Sequence, residues 1–344
     1  MTTPSETMHT ARALLNVPSS RATPGFRDFA AQRGLSVENT ATGTTIRIGV
    51  GTVTLAEADG RTALHIASPE AVNLQLVRDA VAARVADLGL TLDWQDKTAP
   101  GRPANLSLAQ VTEVRRLTPS YTRVVMEGPQ LARFATGPMH FRLLFGPDGA
   151  DWPHTDAGGV TQWPGGAAAW HRPVYTTRSI DVAPDGVARI AFDVFLHAGG
   201  RVTEWTRTLT PGAEIAVTGP GGGRGPAPAG WHLLIGDETA VPVIARILTE
   251  LPATTTGTAL LFVPDAGDAQ TLDHPPGVKV HWILRDGAQT PLSALRAQTL
   301  PDADRFVFFA AERQEALAAR AHLLDLGLAK TEFQSASYWS APED

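Results

Sequence analysis

The chain has 344 residues, 43% of them hydrophobic and 19% charged, with 29 lysines and arginines, 35 aspartates and glutamates, and no cysteine. Its length allows two to three domains at about 150 residues each, and the lack of cysteine excludes disulfides, thiolate zinc sites, a catalytic thiol and Cys-held iron–sulfur clusters on this chain. A formal charge of -6 argues against an extended nucleic-acid face, and 32 glycines with 26 prolines point to frequent turns.

Residues 1–15 carry neither a basic leader nor the apolar core of a secretory signal. No apolar run approaches the ~18 residues that span a bilayer, so the reading is a cytoplasmic protein with no nucleic-acid partner and no membrane insertion. Residues 24–33 have helical character, and 44–48, 52–56 and 63–67 alternate as short strands, with Asp59-Gly60 supplying hairpin chemistry between the last two. Ser68-Pro69-Glu70 reads as a helix cap with proline at the first helical position, and Leu74, Val77, Val81, Val85 and Leu88 form the buried stripe of the helix that follows. These elements make a small α+β domain over residues 1–98, with no visible chemistry. A linker rich in proline and glycine, 95–104, sets a boundary near residue 100.

Residues 105–222 read as strands with turns: 108–114, 122–127, 140–145, 174–182, 187–196 and 214–217. About six antiparallel strands without a helical crossover imply a closed barrel or sandwich. The interruption over 147–170 is longer than ordinary connections and is expected to be a functional lid or disordered. His154 and His171, beside Trp152, Trp163 and Trp170, are read as part of a lid over a cofactor. From 229 to 344 the period changes. Apolar runs at 231–236, 257–263, 278–284 and 305–310 alternate with helical stretches at 240–251 and 314–326, the pattern of an open α/β lobe with a parallel sheet. A barrel followed by such a lobe has a ligand cleft at their junction.

Three segments carry candidate chemistry. His171-Arg-Pro-Val-Tyr-Thr-Thr-Arg178 offers guanidinium forks for phosphate, with a tyrosine ring and threonine hydroxyls for a planar heterocycle. A barrel strand with its tyrosine in the core and its arginine solvated accounts for the same residues. Phe192-Asp-Val-Phe-Leu-His-Ala-Gly-Gly-Arg-Val-Thr-Glu-Trp205 ends a strand at a Gly-Gly pair and starts a helical turn near Thr203, where outward amides attract anions; a plain glycine turn is the other reading. Thr218-Gly-Pro-Gly-Gly-Gly-Arg-Gly225 precedes its strand, whereas a Rossmann fingerprint follows one. Asp237 and Glu238 sit at the next helix start, where they would repel a pyrophosphate. The ten histidines show no close metal-binding spacing, and no metal site is expected.

Taken in order, Tyr-Thr-x-Arg (175–178), Phe-Leu-His before a glycine loop and Trp205, Gly219-Pro220, Gly-Asp-Glu-Thr-Ala-Val-Pro (236–242) with Ile244-Ala-Arg-Ile-Leu248, and Tyr338-Trp339 resemble the siderophore-interacting protein family. Those proteins are FAD-binding ferric-siderophore reductases of the ferredoxin-reductase superfamily. The resemblance spans roughly residues 106–339 and includes His140-Phe-Arg-Leu-Leu-Phe145; residues 1–98 resemble a small domain of unknown function that is sometimes fused ahead of such proteins.

The resemblance implies a multidomain chain in which an antiparallel Greek-key β-barrel holds FAD and an α/β lobe serves NAD(P)H. Tyr175 and Thr176, with Thr177 beside them, would meet the isoalloxazine. Arg178 and the turn of Gly199, Gly200, Val202 and Thr203 would lie near the diphosphate, and Arg172, His197 and Trp205 would also belong to the cofactor site. Asp237, Glu238, Thr239 and Glu312 would face the cleft. Arg142, Arg201 and Lys279 are candidate contacts for an anionic ferric chelate, and no acid–base catalytic residue is expected because the flavin carries the chemistry.

Two departures stand out: Pro173 replaces the family's arginine two residues before the tyrosine, and the basic residue usual after Tyr-Trp is missing. The expected activity is transfer of electrons from NAD(P)H through flavin to an Fe(III)-siderophore, by a monomer. Alternatives are a flavoprotein that uses ferredoxin or reduces flavins or quinones, and a non-enzymatic module that binds a siderophore or flavin.

Overall fold

In the computed structural model, which describes residues 8–223 and 225–341, alternation of buried and exposed side chains folds the start of the chain into one antiparallel sheet. Arg224 of the glycine run and Pro342, Glu343 and Asp344 of the tail lie outside the described residues. Strands β1 (His9–Leu15), β2 (Ser36–Thr40), β3 (Gly43–Ile48), β4 (Gly51–Ala58), β5 (Arg61–Ser68) and β6 (Leu92–Trp94) lie in the order β2-β3-β4-β5-β1-β6. Ala11, Ala13, Leu15, Val53, Leu55, Leu64 and Ile66 point from the sheet into a core shared with helices α1 (Ser19–Gln32) and α2 (Ala71–Asp87).

The Asp59-Gly60 turn has φ of 51° and 74°, the left-handed pair that a two-residue hairpin needs. On α2 the expected stripe is the buried one, with Val77, Val81 and Val85 in the core and Leu74 and Leu88 packed against it. The cap differs from expectation: Glu70 precedes the helix, so Pro69 lies outside it, and Ser68 donates its hydroxyl to the Val50 carbonyl at 2.6 Å.

The barrel begins with β7 (Leu106–Thr118), β8 (Tyr121–Gly128) and β9 (His140–Leu143). After an insert holding the short strands β10 (His154–Thr155) and β11 (Thr161–Gln162), it resumes with β12 (Val174–Thr176), β13 (Ser179–Val182), β14 (Ala188–Phe195), helix α3 (Arg201–Thr208) and β15 (Glu214–Gly221). The seven strands lie in the order β12-β9-β15-β7-β8-β14-β13. Its two edge strands are neighbours in sequence, joined only by Thr177 and Arg178, and two residues reach no more than about 7 Å, so the sheet must curl round on itself. Thr177 N donates to the Met139 carbonyl at 2.8 Å, and Arg178 N donates to that of Ala191 at 2.9 Å. The single strand expected over 174–182 is therefore broken at the point where the chain passes from one edge to the other.

The insert is folded. Residues 144–172 group with residues 1–107 as one compact unit, while 108–143 and the chain from 173 onward form a second. Asp79 on α2 accepts from Thr161 N at 2.9 Å and Thr161 Oγ1 at 2.7 Å, Gln75 donates to the Gly159 carbonyl at 2.9 Å, and Arg78 donates to that of Gly158 at 3.1 Å. Gly159 has φ of 73°, and a Cβ there would lie 1.6 Å from Arg78 Nη1, so only glycine fits. The insert is thus an ordered flap bound to the N-terminal domain, where a lid or a disordered loop was expected; α2 supplies partners from 80 to 84 residues away.

The lobe in the second unit contains β16 (Trp231–Gly236), α4 (Val241–Glu250), β17 (Thr256–Val263), β18 (Gly277–Leu284), α5 (Pro291–Arg296), β19 (Arg305–Glu312), α6 (Arg313–Asp325) and β20 (Phe333–Trp339). Five parallel strands lie in the order β18-β17-β16-β19-β20; the three central ones, β16, β17 and β19, are buried on both faces, which explains their unbroken apolar runs. The order reverses beside β16, opening a crevice at the carboxyl ends of β16 and β19. Barrel and lobe share one core that includes Tyr121, Met139, Val243 and Ile247. Among the described residues no helix is long and apolar enough to cross a membrane.

The Asp79 contacts yield a test. Asp79→Ala removes both acceptors from Thr161 and should lower the stability of the first unit by about 1–3 kcal/mol. Urea unfolding should show the loss, and limited proteolysis should cut faster within 147–170; unchanged cleavage would mean that the flap is held by other contacts.

Candidate functional site

A cavity of about 430 Å³ opens between the barrel and the carboxyl ends of the parallel strands. From the barrel it is lined by His140, Val174, Tyr175, Thr176, Asp193, Phe195, His197, Gly222 and Gly223, and from the lobe by Thr239, Pro242, Gln334, Ala336, Ser337, Tyr338 and Trp339. The Tyr175 ring packs 5.6 Å from Phe192 and 6.5 Å from Phe141, and burial pushes its hydroxyl pKa up. Thr176 is buried at the strand end. Thr177 is fully buried; its carbonyl accepts from Arg246 Nη1 at 2.9 Å, and its hydroxyl has no partner.

Arg178 is the least satisfied cation here. Its buried Nε has no hydrogen-bond partner, and desolvation lowers its pKa, with Asp193 opposing the shift and Arg123 adding to it. Asp193 is already held by a bidentate fork from Arg123, at 2.7 and 2.8 Å. Helix α3 starts just past Gly199, whose φ is 74°, and Gly200. A Cβ on Gly200 would come within 2.7 Å of the His197 ring, and Thr203 Oγ1 accepts from His197 N at 3.1 Å, so the turn is tightly built. Val202 and Thr203 are buried, leaving the first-turn amides as the groups a ligand can use. Tyr175 gives this cavity an aromatic face, while the Arg178 guanidinium and the start of α3 follow closely in the chain on its lining residues Thr176 and His197.

On the lobe side, Asp237 Oδ1 accepts from Thr239 N at 2.9 Å and Thr239 Oγ1 at 2.6 Å, while Oδ2 accepts from Trp339 Nε1 at 2.7 Å. Glu238 pairs with Arg285, and its other oxygen is buried without a partner; burial raises its pKa, and Arg285 opposes that shift. Helix α4 starts only at Val241, so these two carboxylates precede the helix and are engaged elsewhere, contrary to the helix-start placement expected. Glu312 caps α6 and accepts from Ala341 N. A second cavity, of about 350 Å³, is lined by Arg285, Gly287, Gln289, Thr290, Pro291, Glu312, Glu315 and Trp339. Trp339 thus borders both cavities.

Of the expected site residues, Tyr175, Thr176, His197 and Thr239 line the first cavity and Glu312 the second. Arg172 lies over the Trp163 ring at 4.7 Å, within the first unit. Arg142 is exposed on β9 opposite Val174, and Arg201 is exposed at the start of α3. Lys279 is exposed early in β18, five residues before its carboxyl end, and lines neither cavity. Sequence reasoning missed Asp193, whose signal was a carboxylate inside the apolar run from Ile190 to Phe195, and assigned no role to His140, Tyr338 or Trp339. His140 Nε2 meets Tyr338 Oη at 2.9 Å, and burial, reinforced by Arg246, holds the His140 pKa at about 4. Among the described residues no group of three histidines, aspartates or glutamates could hold a metal.

Residues 110–224 match the family described as siderophore-interacting FAD-binding domain, and residues 229–342 match the family described as siderophore-interacting protein. The chain is 29% identical over 236 residues to the ferric vibriobactin reductase of Vibrio cholerae, covering 63% of this chain and 83% of that one. It is 27% identical over 209 residues to the NADPH-dependent ferric-chelate reductase of Escherichia coli, covering 59% and 80%. The crystal structure of a siderophore utilization protein from T. fusca superposes with a TM-score of 0.59 at 28% identity, over 72% of this chain and 96% of that one.

His140 gives the site a pH signature. An unfolded histidine titrates near 6.5, so between pH 6.5 and 4 the unfolded chain takes up a proton that the folded chain refuses, and stability falls as pH drops through that window. The loss should approach about 3 kcal/mol. His140→Gln should flatten this limb when urea unfolding is followed from pH 7 to pH 4.5, and an identical slope in both proteins would clear His140 as its source.

Proposed function

The chain belongs to the siderophore-interacting protein family, and from that premise we propose that it is an FAD-dependent reductase of ferric siderophores that draws its electrons from NAD(P)H and releases iron as Fe(II). The observation that carries this reading is the cavity lined by Tyr175, Thr176 and His197 from the barrel and by Thr239 and Trp339 from the lobe, with Arg178 two residues beyond Thr176 and the start of α3 four residues beyond His197. Bound FAD supplies the exchange between a two-electron hydride donor and the single electrons that Fe(III) accepts. Tyr175, seated on Phe141 and Phe192, offers a rigid surface for a planar ring. Arg178 and the start of α3 neutralise a diphosphate, and burial strengthens that attraction.

Asp237 holds Trp339 between the two cavities and so sets the separation of their contents. We assign the second cavity, at the carboxyl ends of the strands, to the nicotinamide end of the donor, with its diphosphate away from Glu312 and Glu315. Arg142 at the barrel edge is the group we assign to the oxygen donors of the chelate. Hard oxygen ligands hold Fe(III) far more tightly than Fe(II), so reduction loosens the complex. The reading puts the reaction in the cytoplasm, where nicotinamide donors are available, with a monomer as the working unit.

The purified protein should carry, or take up, FAD and show its yellow absorbance; failure to bind added FAD would end the reading. Arg178→Ala should weaken FAD binding by at least about tenfold, which is 1.4 kcal/mol. Quenching of flavin fluorescence on titration measures it, and Arg142→Ala should leave that affinity unchanged.

A further inference from the structure

The charge around the two cavities narrows the substrate. Among the described residues lining the first cavity there is no lysine or arginine, and its one carboxylate, Asp193, is paired with Arg123. His140 in its wall is neutral at pH 7, with a pKa of about 4. The second cavity carries Glu312 and Glu315 against Arg285 alone, and Arg285 is paired with Glu238. Asp237 adds a carboxylate behind Trp339, the wall common to both. With Arg178 facing the FAD diphosphate, the cofactor brings more negative charge than that guanidinium returns. Arg142 supplies one positive charge at the barrel edge.

Charges within roughly a Debye length of one another, about 8 Å at physiological ionic strength, are little screened by salt. On the reductase reading above, we propose that this cleft selects ferric chelates of little or no net charge, of the trishydroxamate class, and disfavours trianionic tris-catecholates. The reaction accentuates the difference. Each Fe(III) gains one electron and becomes Fe(II) with its ligand oxygens unchanged, so one NAD(P)H reduces two chelates and becomes NAD(P)⁺, with one proton released to solvent. An uncharged chelate then acquires a single negative charge, while a trianion must become a tetraanion in surroundings that are already negative.

Gallium(III) has the charge and size of Fe(III) but is not reduced, so its chelates report binding without turnover. Calorimetric titration of the FAD-loaded protein at about 0.15 M salt should show the Ga(III) trishydroxamate bound at least about tenfold more tightly than the Ga(III) tris-catecholate. Added salt should narrow the gap by relieving repulsion. Ser340 is exposed directly after Trp339; Ser340→Arg should strengthen catecholate binding several-fold and leave the trishydroxamate within about twofold. Where binding is too weak to titrate, the ratio of kcat/KM for the two ferric chelates decides in the same sense. Equal or tighter catecholate binding, or catecholate binding weakened by salt, overturns the proposal while leaving the reductase reading in place. If neither gallium chelate binds and neither ferric chelate oxidises the reduced protein, the reductase reading itself fails.

Discussion

The cleft exists because the barrel is bolted to the lobe at its back. Tyr121, fully buried at the start of β8, donates its hydroxyl to the Glu238 carbonyl at 2.7 Å. Beside it, Asp268 in the lobe accepts from Thr118 Oγ1 at 2.7 Å and Ser120 N at 2.8 Å, and Arg246 on α4 reaches the Thr177 carbonyl. These bonds close around an apolar core to which both halves contribute, so the walls of the cavity cannot slide without exposing it. Two of them act on residues next to the site: Glu238 adjoins Thr239, and Thr177 lies between Thr176 and Arg178. The geometry that a cofactor would meet is therefore set by the same contacts that hold the two halves together.

Asp237 does comparable work over a shorter range. One carboxylate accepts three hydrogen bonds, two from Thr239 and one from Trp339, and so ties the carboxyl end of the first parallel strand to that of the last. Gly236 makes this possible, since a Cβ there would lie 2.5 Å from Ala240 and 3.2 Å from the Ala310 carbonyl. A lobe lacking a phosphate-binding glycine loop after its first strand thus uses that strand end to position an aromatic ring. The acidic character that results on the lobe side shapes which ligands the site can tolerate.

The chain passes between the two units at the ends of the β9–β12 hairpin. The β9–β12 hairpin carries His140, Tyr175 and Thr176, and its ladder extends past Leu143 and Pro173 to the Phe145–His171 bridge, from which the flap departs. The flap is then fixed by Gln75, Arg78 and Asp79.

Much of this was legible in the residues. Alternation marked strands in both sheets, Asp59-Gly60 marked its turn, unbroken apolar runs marked the parallel strands, and Tyr-Thr-x-Arg with Gly-Asp-Glu-Thr marked the two sides of the cleft. Those signals are local, because side-chain direction repeats every two residues in a strand and every 3.6 in a helix. What only the tertiary structure decided is which distant groups satisfy one another. Thr161 found Asp79, Tyr121 found Glu238 and Trp339 found Asp237, pairs separated by 82, 117 and 102 residues. The break at Thr177-Arg178 belongs to the same class, since a strand is interrupted there by the closing of a barrel. Such pairings depend on burial, which leaves a polar group no water to bond, and burial is a property of the whole fold.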